Sequence, residues 1–160
     1  MQATNGCTTG HTSPLRRDTD GDGLVDGPEA KGITIRQVVF TNVGRPRRGK
    51  AIGTVRTNPC AKDTDRDGLT DRQEVVGVRI NQRVQRYKRD GGWYTITTRR
   101  SNPLKKDTDG DGLTDKQEVT GSANRRFKMH RTDPTVADTD WGGIRDGREI
   151  RVRRTDPTRI

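Results

Sequence analysis

Acidic residues are almost missing from most of this chain. Of 22 aspartates and glutamates in 160 residues, 19 fall in four twelve-residue lines, Asp133 and Asp156 precede prolines beside them, and Asp90 alone stands apart. Large apolar residues are also scarce: Leu, Ile, Val and Phe number 27, about 17%. A share that low, with a net charge of +10, buries too little surface to offset chain entropy. Something other than a hydrophobic core must hold the fold. No run of about 18 apolar residues exists, so no membrane span is predicted. The opening "MQATNGCTTG" lacks the charged-then-apolar layout of a signal peptide. It reads either as a mature form whose leader was removed or as a chain not exported by that route. Two cysteines, Cys7 and Cys60, allow one disulfide, two free thiols or a bond to another chain.

Catalytic and base-stacking chemistry lack material as well. His11 and His130 lie in polar contexts without Cys or Glu arranged for zinc or acid–base work, so the chain is not expected to be an enzyme. Phe40, Tyr87, Trp93, Tyr94, Phe127 and Trp141 are too scattered for a nucleic-acid stacking platform and are expected to fill gaps between elements.

What is present is a repeat. Lines start at Asp18, Asp63, Asp107 and Asp138, with acids at positions one, three, five, nine and twelve, and all four glutamates of the chain stand at position twelve. Each line is entered through a proline phrase ("SPLRR", "NPCAK", "NPLKK", "DPTVA"), and a fifth phrase, "DPTRI", ends the sequence. A Gly three residues beyond the first three glutamates (Gly32, Gly77, Gly121) predicts one helical turn stopped by a left-handed residue. "ITIRQVVF" with "AIGTVRT", and "VRINQRVQRY" with "WYTITTRR" across "KRDGG", read as hairpins. The third insert is too short for a long hairpin and the fourth is nearly absent.

Alternating carboxylates, a turn-permitting residue at six, a carbonyl at seven and acids at nine and twelve can wrap one hard cation in oxygen. The predicted ligands are Asp18, Asp20, Asp22, Leu24, Asp26 and Glu29; Asp63, Asp65, Asp67, Leu69, Asp71 and Glu74; Asp107, Asp109, Asp111, Leu113, Asp115 and Glu118; and Asp138, Asp140, Ile144, Asp146 and Glu149. The leucines lend carbonyls while their side chains pack inward. Like charges about 4 Å apart repel by roughly 4 kcal/mol at an effective dielectric near 20, so an empty loop is strained and a divalent ion reverses the sign. Calcium suits this better than magnesium, which prefers six tight ligands and keeps its waters. In line four Gly142 replaces the fifth-position Asp, so weaker or altered binding is expected there.

The spacing fits an EF-hand loop, but a proline stands where the entering helix would be and the hydrophobe sits at seven instead of eight. "DTDGDGLTDKQE" and "DTDRDGLTDRQE" resemble bacterial thrombospondin type 3 repeats. "DGLTDRQEVVGVRI" running into a strand resembles the calcium-binding segment of anthrax protective antigen and the clostridial binary-toxin binding components. The toxin resemblance implies a second ion per loop, completed by the residue before the next Pro, a carbonyl two residues after it, and the first Asp of the next loop. That would add Asn58 with Asp63, Asn102 with Asp107, and Asp133 with Asp138, and would leave Asp156 at the last phrase. Plain turn chemistry before Pro is the alternative.

The fold class read from this is mostly β and irregular: tandem Ca2+-binding loops, each with a short helical turn, linked by hairpins, elongated, with little core. The units run over residues 1–17, 18–62, 63–106, 107–137 and 138–160. Two functions remain open. One is an extracellular, Ca2+-stabilised rod or filament subunit that associates head to tail. The other is an adhesin or toxin-like module whose basic face, with Arg79 and Arg83 sharing one side of a strand, meets an anionic polysaccharide or nucleic acid.

Overall fold

The computed structural model describes Cys7, residues 11–87 and residues 92–160; most of the turn expected at "KRDGG" lies outside them. Each acidic line folds as a loop that leads into one helical turn beginning at position nine. These are α1 (Asp26–Lys31), α2 (Asp71–Val76), α3 (Asp115–Thr120) and α4 (Asp146–Arg148). Thr70 and Thr114 cap α2 and α3 with reciprocal bonds to Gln73 and Gln117, which satisfies two otherwise orphaned donors at each start. α4 continues into a π-helical turn, Glu149–Arg153, closed by Arg154 at φ 58°.

Of the three glycines expected to stop a turn, only Gly121 takes the left-handed conformation (φ 71°, ψ 11°). Gly77 sits instead at φ 103°, ψ 148°, and Gly32 at φ 108°, ψ 139°. The reason is that a strand begins at the very next residue in both cases. A Cβ at Gly77 would lie 2.8 Å from Thr98 Cγ2 and 3.0 Å from the Arg99 carbonyl oxygen, so only glycine allows this direct turn.

Both predicted hairpins form. β1 (Ile33–Val39) pairs antiparallel with β2 (Lys50–Val55), Ile33 opposite Val55, with a bulge between Ile35 and Val38. β3 (Val78–Gln85) pairs with β4 (Trp93–Arg99), Gln85 opposite Trp93, with a bulge between Arg79 and Gln82. That bulge, where Asn81 takes φ 54°, interrupts the period of two expected to set Arg79 and Arg83 on one side. The third insert makes only a short turn, Arg125–Phe127.

The hairpins return to later parts of the chain. Phe40 donates to Thr135 O at 2.7 Å and accepts from Ala137 N at 3.0 Å, while Gln85 N donates to Thr158 O at 2.9 Å. The apolar core is small: Leu69, Ile80, Val84, Ile96 and Val119, with Val78 and Tyr94 against it. Tyr94 also stacks on Trp141 and donates to Thr139 O at 2.8 Å. Cys7 and Cys60 are disulfide-bonded, with Cα atoms 5.7 Å apart. Closing that 53-residue separation contributes roughly 4 kcal/mol by constraining the unfolded chain.

Candidate metal centres

Within each of the first three loops, backbone donors fix one oxygen or both of each aspartate. The first Asp accepts from N–H groups three and five residues on: Gly21 and Gly23 to Asp18, Arg66 and Gly68 to Asp63, Gly110 and Gly112 to Asp107. Oδ1 of the third-position Asp accepts from the fifth-position N–H, at 3.0 Å for Asp20 and Asp65 and 3.1 Å for Asp109. Oδ1 of the fifth-position Asp accepts from the seventh-position N–H at 2.6 Å in all three. Glu at twelve accepts a hydroxyl from the following phrase: Thr57 to Glu29, Ser101 to Glu74, Thr132 to Glu118, and in loop four Thr155 to Glu149.

Two oxygens per loop are left over. Oδ2 of Asp20, Asp65 and Asp109, and Oε2 of Glu29, Glu74 and Glu118, are buried with no hydrogen-bond partner. A buried carboxylate oxygen without a donor costs several kcal/mol; here the same positions are orphaned in three loops. Three acids of each loop also converge, with ligand atoms of Asp18, Asp20 and Asp22, of Asp63, Asp65 and Asp67, and of Asp107, Asp109 and Asp111 all within 4.8 Å. These donor sets fit a hard divalent cation.

The loops also interlock. Oδ2 of each fifth-position Asp accepts from the tenth-position N–H of the next loop: Asp22 from Arg72 at 3.0 Å, Asp67 from Lys116 at 2.7 Å, Asp111 from Gly147 at 3.2 Å. The side chains of Arg72, Lys116 and Arg145 reach back to carbonyls of Gly23, Gly68 and Gly110. This delivers the ninth-position acid of one loop to the acids of the loop before it, and Asp111, Glu118 and Asp146 lie within 4.8 Å as a buried group. Asp71 likewise raises the pKa of Glu29, and Asp115 that of Glu74.

The resemblance pointed to a different closing set. Asp63 and Asp107 are held by their own loops, and Asp138 by Gly143 N of its own loop and Gly44 N of the first hairpin. Asn58 and Asn102 accept from the N–H groups of Cys60 and Leu104 in ordinary Asx turns. Asp133 accepts from Thr135 and pairs with Arg99 Nε at 2.6 Å; Asp156 accepts from Thr158 and pairs with His130 Nδ1 at 2.8 Å. The phrase residue that reaches the acids is the Ser or Thr one position earlier.

Loop four differs. Oδ1 of Asp138, Oδ2 of Asp146 and Oε2 of Glu149 are its buried, unpartnered oxygens, and ligand atoms of these three acids lie within 4.8 Å. Gly142 leaves no fifth-position carboxylate, and its N–H donates to Asp140 Oδ1 at 2.8 Å. Leu69 and Leu113 are buried as expected, at 2% and 1% exposure, whereas Leu24 and Ile144 are only half-buried.

Burial first, and acid neighbours second, push these carboxyls upward. Asp20 and Asp111 rise to about 6, Glu29, Asp65 and Glu149 to about 7, Asp115 and Asp140 to about 8 and Glu74 to about 10. Asp109, Glu118 and Asp146 are driven well above the ordinary range for the same reasons. Such a cluster takes up either protons or a cation.

Two residue types escaped the sequence reading. Thr at position two (Thr19, Thr64, Thr108, Thr139) donates its N–H to the ninth-position Asp, and in the first three loops its hydroxyl donates to the second oxygen at 2.6, 2.6 and 2.7 Å. The same hydroxyls accept from phrase N–H groups, as Asn102 N to Thr108 Oγ1 at 2.8 Å. The signal was legible: all four lines begin Asp-Thr-Asp, and four phrases read Thr-Asn-Pro, Ser-Asn-Pro, Thr-Asp-Pro and Thr-Asp-Pro.

Comparison with known families finds one described as the clostridial binary toxin B/anthrax toxin PA Ca-binding domain, matching residues 17–91 and again 62–137. Each match takes in a loop, its insert and the whole of the next loop, the same unit that the shared acids define. No curated protein and no solved structure matches this chain.

Proposed function

Because this chain belongs to the family of the clostridial binary toxin B/anthrax toxin PA Ca-binding domain, we propose that it is a non-catalytic, extracellular module in which Ca2+ takes the place of a hydrophobic core. The observation that carries this is the recurring pair of orphaned oxygens at positions three and twelve, with the acids Asp111, Glu118 and Asp146 gathered across the third junction. The residues proposed to hold Ca2+ are the acids of positions one, three, five and twelve, joined across each junction by Asp71, Asp115 and Asp146. Carbonyls at position seven complete the set. The bound cation supplies the positive charge that lets these carboxylates remain ionised while buried. A disulfide in a chain with this chemistry suits an oxidising, calcium-rich exterior, and among the described residues no helix is long and apolar enough to cross a membrane.

The proposed role is mechanical: the loops set the hairpins in fixed order within a toxin-like component. Head-to-tail extension beyond loop four finds no support in Gly142, where no fifth-position carboxylate waits for the N–H of another loop. The test is metal analysis and circular dichroism before and after chelation. Calcium in the folded chain, with loss of structure on its removal and return on its replacement, is expected. Unchanged dichroism and thermal midpoint in a chain shown to be metal-free would refute the reading.

A further inference from the structure

Sequestering the acids in the loops leaves the outer cations short of partners, and on one face this shortage is structured. Arg83 and Arg159 both stand over Trp93, with guanidinium carbons 4.6 and 5.9 Å from the ring centroid. Trp93 is 43% exposed. Arg159 continues this face into a cleft of about 340 Å³ whose walls include Arg126, Phe127 and Lys128. The one acid there, Asp156, is already taken: Oδ2 accepts from His130 and Oδ1 from Thr158, while Arg159 Nε stays 3.9 Å away, beyond hydrogen-bond reach. Among the described residues the side-chain donors of Arg83, Arg126 and Lys128 have no polar partner.

Stacking on an indole uses the face of a guanidinium and leaves its N–H edge outward. It also fixes the group in advance, which lowers the entropy lost when an anion binds. Holding two guanidiniums against one ring is electrostatically unfavourable by itself, and an anion between them removes the repulsion. We propose that the Arg83–Trp93–Arg159 face and the adjoining cleft bind a sulfated polysaccharide, the arginine edges taking sulfate groups and Phe127 and the free part of Trp93 meeting the sugar's apolar face. Sulfate fits the planar donor fork, and the cleft has the size of a small-ligand site. A nucleic acid is less well served, since it needs a succession of open aromatic faces and this surface offers one, partly covered by arginine.

The test uses the full chain saturated with Ca2+ and titrated calorimetrically with a heparin oligosaccharide at two salt concentrations. Trp93→Ala, Arg83→Ala and Arg159→Ala should each weaken binding about tenfold and flatten its salt dependence. Trp93→Phe should bind close to wild type, and Lys31→Ala, on α1, should change little. Calcium content is measured for every variant, so failure of the metal reading is seen separately. If Trp93→Ala fails to load calcium, the two arginine variants decide. The proposal is overturned if the arginine variants bind as wild type does, if Lys31→Ala loses as much as they do, or if single-stranded DNA of equal charge binds as tightly.

Discussion

The sharpest consequence of the interlocked loops is that Asp115, which belongs to the third loop, should serve a calcium site of the second. Resemblance alone pointed to Asp107 for that duty, so Asp115→Asn and Asp107→Asn, each combined with Glu74→Gln, separate the two arrangements. The electrostatics of Glu74 include Asp65, Asp115 and Asp67, and both oxygens of Asp107 are turned toward its own loop, accepting from N–H groups of Gly110 and Gly112 at 2.7 and 2.9 Å. A unit charge and a divalent ion about 4 Å apart interact by roughly 8 kcal/mol at an effective dielectric near 20. Solvent and the remaining carboxylates screen most of that. Residues sharing one ion should therefore show a coupling near the top of the usual range, about 2 kcal/mol or roughly 30-fold in affinity. After Glu74→Gln has already weakened the site, Asp115→Asn should cost that much less than it does in the wild-type chain. Asp107→Asn should add its own cost in full. Calorimetric calcium titration of the six proteins gives both couplings. A larger coupling for Asp107 than for Asp115 would refute the shared-site geometry.

Other expectations follow from the same contacts. The calcium-free fold should be most stable below about pH 4. Its buried carboxyls have pKa values raised above the unfolded range, so the stability they confer is complete below that range. It is lost as pH climbs through about 7 for Glu29 and Glu149 and about 10 for Glu74. With calcium the order should reverse and binding should release protons, which thermal scans at pH 5 and 8, with Ca2+ and with EDTA, would reveal. Thr108→Val removes a charge-assisted donor to Asp115 and strands the N–H of Asn102. It should cost about 3 kcal/mol in urea unfolding, whereas Thr108→Ser should cost far less. Gly77→Ala must strain φ 103° and also meet Thr98 Cγ2 at 2.8 Å, while Gly53→Ala at φ 86° meets nothing within 4 Å. The first should lower the thermal midpoint clearly more than the second.

The loops and hairpins were legible because they are local: acid spacing, the glycine after each turn and the alternation of "ITIRQVV" lie within a few residues of one another. The junctions were not. A tenth-position N–H carries no side-chain signature, so nothing in the sequence says that Arg72 donates to Asp22 fifty residues earlier. The same holds for the pairing of Phe40 with the fourth phrase and of Gln85 with the fifth. Asp at position five reads as one more ligand, whereas its second oxygen is the joint between loops. The threonines were legible as a recurring Asp-Thr-Asp, but threonine beside aspartate also suits an ordinary turn, so the pattern did not say which acid they bond.

Position five also sets one line of the repeat apart from the rest. Asp22, Asp67 and Asp111 each accept the N–H of a following loop, whereas Gly142 offers no carboxylate for such a joint. Loop four gathers Asp138, Asp146 and Glu149 instead. If the fifth-position carboxylate is what joins one loop to the next, Gly142→Asp should add a weak calcium-dependent contact between chains and should leave the first three loops unchanged. Sedimentation in millimolar Ca2+ measures it: self-association of Gly142→Asp but not of wild type is expected. Wild-type chains that already associate through loop four would show that position five is not the joint.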